Sequence, residues 1–503
     1  MSPRDYTQAM GDTELKADVV IVGSGPGGAA ISRVLSDAGR SVIIVEEGPA
    51  RPNFRPNAAH TNRFHMQEGG AMVARGSKLM PIAAGRGVGG GSLVNSAICF
   101  RVPDDVANGW IDVLDGDDRY SATNLAPLFE EIEEIIGVGR TPEAIAGENN
   151  MIVVRGVKAL GLKGGLVNRN TPACAGCGIC NFGCPVGGKA SVDRNLIPMA
   201  MKRGAIVQAD TKVDVIDVVD GRAVGVRGTV RHPITREEVG RLTVKADRVI
   251  IACGGIGTPR LLHHAGLAAT LGPAVGKGLH IHPGSAVIGK CDYEVRMWSG
   301  ATQGAYFEHP DLPGFLPHTM SLPPGALLML LARAGSEAKA VMKEVAYYCG
   351  CLVMISDKGE GTVGATSSGR AKITYEFADG DIARIKAGMY EVAKVLFAGG
   401  AKQVTAPVYG CTGMYDSPEA LAKDLEDRTI ADFIMYASHP MGSCRMGADP
   451  SKSVVGPSGE THGISGLTLA DSSIFPTSLG VNPQLTTMVM ATAIGRGLVR
   501  SGS

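Results

Sequence analysis

Two groups of residues in this chain have the types and spacing to do chemistry. Near the carboxyl end, His439-Pro-Met-Gly-Ser-Cys-Arg-Met-Gly is followed by Val481-Asn482-Pro483-Gln-Leu-Thr486. An imidazole titrates near neutral pH and can act as a base, and an asparagine amide can hold an oxygen atom while carrying no charge. In the middle of the chain, Cys174-Ala-Gly-Cys177-Gly-Ile-Cys180-Asn-Phe-Gly-Cys184-Pro185 has the C-x2-C-x2-C-x3-C-P spacing of bacterial ferredoxins. Thiolates so spaced on a turning loop can converge on one iron–sulfur cluster. Only one such run exists here, and a structural cysteine loop or a zinc site fits the same residues.

The elements that must position these groups begin at the other end of the chain. Ala17-Asp-Val-Val-Ile-Val-Gly23 is apolar and β-branched after Asp18, as a buried parallel strand should be. It feeds Gly23-Ser24-Gly25-Pro-Gly27-Gly28, a helix from Ala29 to Ala38, and a second strand, Ser41 to Val45, ending in Glu46 and Glu47. The glycines allow a tight turn and close approach to a pyrophosphate, the helix start offers free N–H groups, and the acid can accept from a ribose hydroxyl. Strand, turn, helix, strand and acid in register predict a dinucleotide site. For Gly23 and Asn482 to share it, the fold must return its last segment to its first.

The chain has 503 residues, with 49 basic against 49 acidic side chains, 44% hydrophobic and 19% charged residues, a length suited to two or three units. Zero formal net charge and no Lys/Arg block leave no footprint for nucleic acid. Acidic residues at the start (Asp5, Asp12, Glu14) and no long apolar run predict neither a secretory signal nor a transmembrane segment, so a cytoplasmic location is expected. Eleven cysteines then read as thiols or metal ligands rather than a disulfide framework. Asn124 to Ile136 and Asp381 to Ala398 carry apolar residues in helical phase and predict scaffold helices. The run Ala326 to Leu331 reads as core, or as the lining of an access channel.

A second glycine loop, Gly85-Arg86-Gly87-Val-Gly89-Gly90-Gly91-Ser92-Leu-Val-Asn95, and a strand and turn, Val249 to Leu262, complete a set of four ordered motifs. Together they resemble the glucose-methanol-choline (GMC) oxidoreductase family over nearly the whole chain, most weakly between about 290 and 400. The resemblance implies an α/β fold (α+β overall): a Rossmann-like FAD-binding domain, discontinuous in sequence, and a substrate domain built on an antiparallel sheet. The expected boundaries are 1–120, 166–290 and 438–503 for the FAD-binding domain, 121–165 for a helical excursion and 291–437 for the substrate domain.

By the same resemblance, Gly23, Ser24, Gly25 and Gly28 match the pyrophosphate turn and Glu46 the ribose acid. Arg86, Gly90, Ser92 and Asn95 match the loop along the flavin, Val213 the strand residue that meets the adenine, and Asp471 the acid near the pyrophosphate and ribityl chain. Val94 stands where some members carry a histidine that attaches FAD covalently, so non-covalent FAD is expected. His439 and Asn482 match the catalytic pair, with Asn482 and Pro483 also beside the cofactor. The Val-Asn-Pro form is most similar to the cholesterol oxidase and long-chain alcohol oxidase branches. Oxidation of a hydrophobic alcohol to an aldehyde or ketone is therefore implied, with His439 as base, Asn482 holding the alcohol oxygen, and hydride passing to flavin N5. An electron-accepting protein or a quinone is a possible partner. A polar, sugar-like alcohol stays open as substrate, as does a lyase or light-driven decarboxylase on the same fold. His280 and His282 read as a structural turn, and His263 and His264 as surface or packing residues.

Overall fold

The computed structural model describes residues 2–50, 54–55, 57–411 and 413–502. The apolar run at 17–23 is the second half of β1 (Gly11–Val22), where Val19 to Val22 are all buried. With β2 (Val42–Val45), β3 (Ile206–Gln208), β4 (Thr211–Val219), β5 (Arg222–Arg231), β6 (Glu238–Ile251) and β7 (Leu467–Leu469) it forms a seven-stranded sheet ordered β3-β2-β1-β6-β5-β4. The short strand β7 pairs with β6. Strands β1, β2, β3, β6 and β7 are parallel, while β4 and β5 form an antiparallel hairpin on the same sheet. Strand β6 is long enough to hold two outer neighbours: Gly240 to Lys245 pair with β5, and Val249 to Ile251 pair with β7. Parallel strands must be covered on both faces, which is why every residue of β2 is apolar and buried.

Three helices connect this sheet to the motifs. Helix α1 (Pro26–Asp37) leaves β1 through a turn in which Gly23 adopts φ +99° and a side chain would strike Ala252 O at 2.4 Å. Helix α2 (Gly254–His264) leaves β6, and α3 (Gln484–Arg500) follows Asn482-Pro483. Helix α3 lies against α1, close enough that a Cβ on Gly495 would sit 3.1 Å from Ile31 Cγ1. The last segment therefore does return to the first. Asp471, Asn482 and the turns after β1 and β6 meet at the carboxyl ends of the parallel strands, where ligands of such sheets bind.

A six-stranded antiparallel sheet stands beside this body, ordered Gln403–Thr405, Gly284–Lys290, Tyr348–Met354, His318–Thr319, Ala305–Glu308, Lys163–Leu166. A five-stranded sheet joins Lys277–Leu279, Glu360–Ala365, Ala371–Glu376, Val73–Gly76 and Met80–Pro81. Helix Asp381–Gly399 supplies Ile385, Met389, Val392 and Leu396 to the core behind the six-stranded sheet, in the predicted phase. The other predicted scaffold helix is Ala122–Ile135, with Leu125, Leu128, Phe129 and Ile132 buried. The fold is mixed α/β with an antiparallel second body, as expected. The run Ala326 to Leu331 lies in helix Pro324–Leu331 and is only half core, since Leu327 and Leu331 are buried while Met329 is 82% exposed. Among the described residues, no helix is long and apolar enough to cross a membrane.

Candidate active site

A cavity of about 370 Å³ opens at the carboxyl ends of the parallel strands, and residues from both ends of the sequence line it. At its nucleotide end, Gly25, Pro26 and Gly27 present the first turn of α1, where a helix has N–H groups free for an anion. A Cβ on Gly27 would fall 2.0 Å from Ala470 O, so this helix start packs directly on the end of β7. Gly28 lies behind the wall, where a Cβ would fall 2.0 Å from Gly23 O. Ser24 is also off the wall and orients Glu46, donating from its backbone N at 3.0 Å and its Oγ at 2.7 Å. Gly48 N and Gly87 N donate to the other Glu46 oxygen, so the second glycine loop is tied to the end of β2.

Glu46, Arg86, Gly90, Ser92, Asn95, Val213, Asp471 and Pro483 all line the cavity. Arg260 and Glu47, which the motifs do not single out, line it as well. Burial pushes the Glu47 carboxyl up, but Arg260 and Arg86 outweigh it and hold the group below its ordinary value. Arg86 keeps a buried Nε with no hydrogen-bond partner among the described residues. A helix start, close-packed glycines and two arginines make a cradle that fits a dinucleotide pyrophosphate. Asp471 accepts from Gly254 N at 2.9 Å and Ser473 N at 2.7 Å, capping α2, while burial raises its carboxyl above the usual range.

At the other end, His439 Nε2 and Asn482 Nδ2 are 3.1 Å apart on the cavity wall. Their placement follows from two anchored segments. Residues 436–441 pair as an antiparallel strand with 280–284, through His280–Met441 and Gly284–Tyr436 backbone bonds, which puts His439 across from His282. The two imidazoles meet edge to face at 5.4 Å. The loop carrying Asn482 is held by the same His282, whose Nε2 accepts from Gly480 N at 3.0 Å and lies 3.1 Å from Ser478 Oγ. Ser478 Oγ in turn donates to Asp357 at 2.9 Å. His282 sits at φ +48°, a left-handed conformation that non-glycine residues adopt at a cost.

Asp357 is buried and also accepts from Ile281 N at 2.9 Å and Tyr375 OH at 2.8 Å. Burial alone would raise its pKa, but the neighbouring His280 and His282 and these donors hold it down at about 2. Sequence alone makes His282 part of a structural turn; the structure makes it the support of both loops that carry the His439–Asn482 pair. His318, from the six-stranded sheet, also reaches this place and lies against Asn482. No sequence signal marks His318 or Asp357, because each stands alone between unremarkable neighbours. Gln484 could be found from the Asn482 motif; its Oε1 accepts from Asn95 Nδ2, joining the second glycine loop to α3.

Burial lowers the imidazole pKa values of His282 and His318 to about 4. Enclosure, aided by those two rings, pushes His439 well below the ordinary range, so it is neutral at physiological pH. His439 Nδ1, Asn482 Oδ1 and Gln484 Nε2 are buried atoms without hydrogen-bond partners among the described residues. Such a concentration of unsatisfied polar atoms on a cavity wall suits a ligand oxygen.

Cys174, Cys177, Cys180 and Cys184 lie off the cavity wall, and among the described residues no three Cys, His, Asp or Glu side chains converge to hold a metal ion. Cations already occupy the space beside Cys180. Arg169, fully buried, donates from Nη2 to Cys180 Sγ at 3.2 Å, and Lys189 donates to Cys180 O at 3.2 Å. Lys189 also donates to Leu93 O at 2.8 Å and Asn95 O at 2.9 Å, so the loop's observed contacts brace the glycine loop along the cavity.

A family profile described as GMC oxidoreductase matches residues 63–284, and its carboxyl-terminal counterpart matches 358–491. An uncharacterized GMC-type oxidoreductase of Mycobacterium tuberculosis, Rv0492c, is 33% identical over 95% of this chain and 75% of its own length. Long-chain-alcohol oxidase FAO1 of Arabidopsis thaliana is 27% identical over 96% of this chain and 66% of its own. Cholesterol oxidase of Acinetobacter baumannii is 24% identical over 94% and 93%. Among solved structures, pyridoxine 4-oxidase from Mesorbium loti superposes with a TM-score of 0.71 at 17% identity, covering 95% of this chain and 98% of that one.

Proposed function

This chain belongs to the GMC oxidoreductase family, and on that premise we propose that it oxidises a hydrophobic alcohol to an aldehyde or ketone with non-covalently held FAD. The observation that carries the reading is the His439–Asn482 pair, 3.1 Å apart on the wall of the cavity that also holds the nucleotide fingerprint. FAD, when bound, supplies the hydride acceptor. Gly25, Gly27, Arg86 and Arg260 would hold its pyrophosphate, and Glu46 and Val213 its adenosine end. Val94 on the wall offers no nucleophile for a covalent link.

His439, kept neutral by its surroundings, takes the hydroxyl proton as hydride leaves the same carbon, and Asn482 holds the alcohol oxygen. The hydrophobic class is supported by the likeness to long-chain-alcohol oxidase and cholesterol oxidase. Anaerobic addition of a long-chain primary alcohol to the purified flavoprotein tests the reading. Bleaching of the flavin absorbance is expected, slowed on the order of 100-fold or more in His439→Ala. A flavin that stays oxidised across primary, secondary, long-chain and sterol alcohols would refute it and favour a lyase or decarboxylase.

A further inference from the structure

Asn482 is an amide with two different ends, and which end faces His439 decides what His439 can do. In the observed orientation Nδ2 faces His439 Nε2 at 3.1 Å, so the imidazole nitrogen must accept and its own proton must sit on Nδ1. The flipped amide would present an oxygen, recruit an N–H on Nε2 and block the lone pair needed to take a proton. Something must therefore hold the amide one way round.

Among the described residues, the group placed to do so is His318. Asn482 Oδ1 and Nε2 of His318 are both buried without a hydrogen-bond partner among the described residues, and the His318 ring is the group beside this amide that could supply one. His318 is 1% exposed in the middle of the six-stranded sheet, fixed by pairing with Tyr306 on one side and Leu352 on the other, and its ring packs on Phe100 at 5.9 Å. Its backbone and ring are thus set by the sheet, independently of the loop that brings Asn482 from the opposite body. The titratable neighbours of this group are His282, His439 and, beyond His282, Asp357.

We propose that His318 is a positioning residue: as the Nε2–H tautomer it donates to Asn482 Oδ1, which turns Nδ2 toward His439 and keeps the lone pair on His439 Nε2. The functional weight of this arrangement rests on the reading of His439 as base, but the arrangement itself is testable without any substrate. Long-range ¹H–¹⁵N spectra of the holoenzyme labelled with ¹⁵N-histidine report which nitrogen of each ring carries the proton, and single substitutions assign the eleven histidines. In the wild type, His439 should be the Nδ1–H tautomer and His318 the Nε2–H tautomer.

His318→Leu removes the donor and should convert His439 to a mixture of tautomers, while His318→Gln, whose amide N–H can still donate to Asn482, should restore the Nδ1–H form. If alcohols reduce the flavin, the leucine variant should lose on the order of 100-fold in reduction rate, and the glutamine variant should recover most of that loss. A wild-type His439 protonated on Nε2, or a leucine variant with His439 unchanged, overturns the proposal whatever the alcohols do. The expected tautomers with no flavin reduction would leave the proposal standing and sink the alcohol reading alone.

Discussion

The histidines whose pKa values burial lowers give this fold a defined acid weakness, and His318→Gln isolates one of them. An exposed histidine in the unfolded chain titrates near 6.5, whereas burial lowers His318 to about 4. Above pH 6.5 the ring is neutral in both states and costs nothing. Between 6.5 and 4 the unfolded state binds a proton that the folded state refuses, so stability falls as pH falls through that window. At pH 5 the loss for a shift from 6.5 to about 4 is ~2 kcal/mol, a sizeable part of a total of ~5–15 kcal/mol. His282, also lowered to about 4, adds a similar loss. Urea unfolding of wild type and His318→Gln, with saturating FAD, should be compared at pH 7.5 and 5.0. Whatever the substitution costs at pH 7.5, the variant should gain ~2 kcal/mol relative to wild type at pH 5.0, because glutamine has no proton to refuse. Parallel losses in the two proteins would refute the reasoning, since they would mean that His318 titrates alike in both states.

Other perturbations probe the cradle and its braces. Gly27→Ala places a methyl 2.0 Å from Ala470 O, against fixed backbone, so α1 must shift; overpacking of ~1–3 kcal/mol and at least roughly tenfold weaker FAD binding should appear in flavin fluorescence titration. Lys189→Met strips the donor from three buried carbonyls, Leu93 O, Asn95 O and Cys180 O, and should lower the unfolding free energy by ~2–4 kcal/mol with a loosened flavin, read from urea curves and cofactor release. Because the His439 pKa is pushed well below 6.5, the rate of flavin reduction by a reactive alcohol should stay level from pH 8 down through 6.5, and its fall should come only in more acid solution. A rapid-reaction profile that bends at an ordinary histidine value would contradict that.

The parts of this molecule that follow local rules are legible in its sequence alone. The apolar, β-branched run ending at Gly23 has to be a buried strand, the turn glycines have to meet something closely, and the helix at 381–399 carries its phase in plain view. The cysteine spacing decides less, because spacing constrains only the path of one loop. Whether the thiols converge depends on what else enters, and here Arg169 from a separate short strand and Lys189 fill the place beside Cys180. His282 is visible in its motif but its role is not, since that role exists only once Ser478 and Gly480 arrive from far along the chain. Asp357 and His318 carry no local signal at all.

That distribution follows from how the site is supported. His439 and Asn482 sit on two loops of the flavin-side body, and loops alone hold a 3.1 Å contact poorly. Both loops are pinned by His282 at the edge of the second body; His282 donates its own backbone N–H to Asp357 at 3.4 Å, and that carboxylate also holds Ser478 of the Asn482 loop and is itself held by Ile281 N and Tyr375 OH. The His439–Asn482 pair is therefore only as well placed as the junction between the two bodies. Asp357→Asn keeps the size of the side chain but replaces one acceptor oxygen with an amide, so either Ser478 on one oxygen or Ile281 and Tyr375 on the other lose their partner. The substitution should loosen the loops carrying His439 and Asn482 together while leaving the nucleotide cradle, built on other elements, able to hold FAD. Reduction rate should drop on the order of tenfold with FAD affinity unchanged. A loss of FAD affinity in step with the rate would mean that the two bodies fold as one inseparable unit and that Asp357 serves the whole rather than the pair.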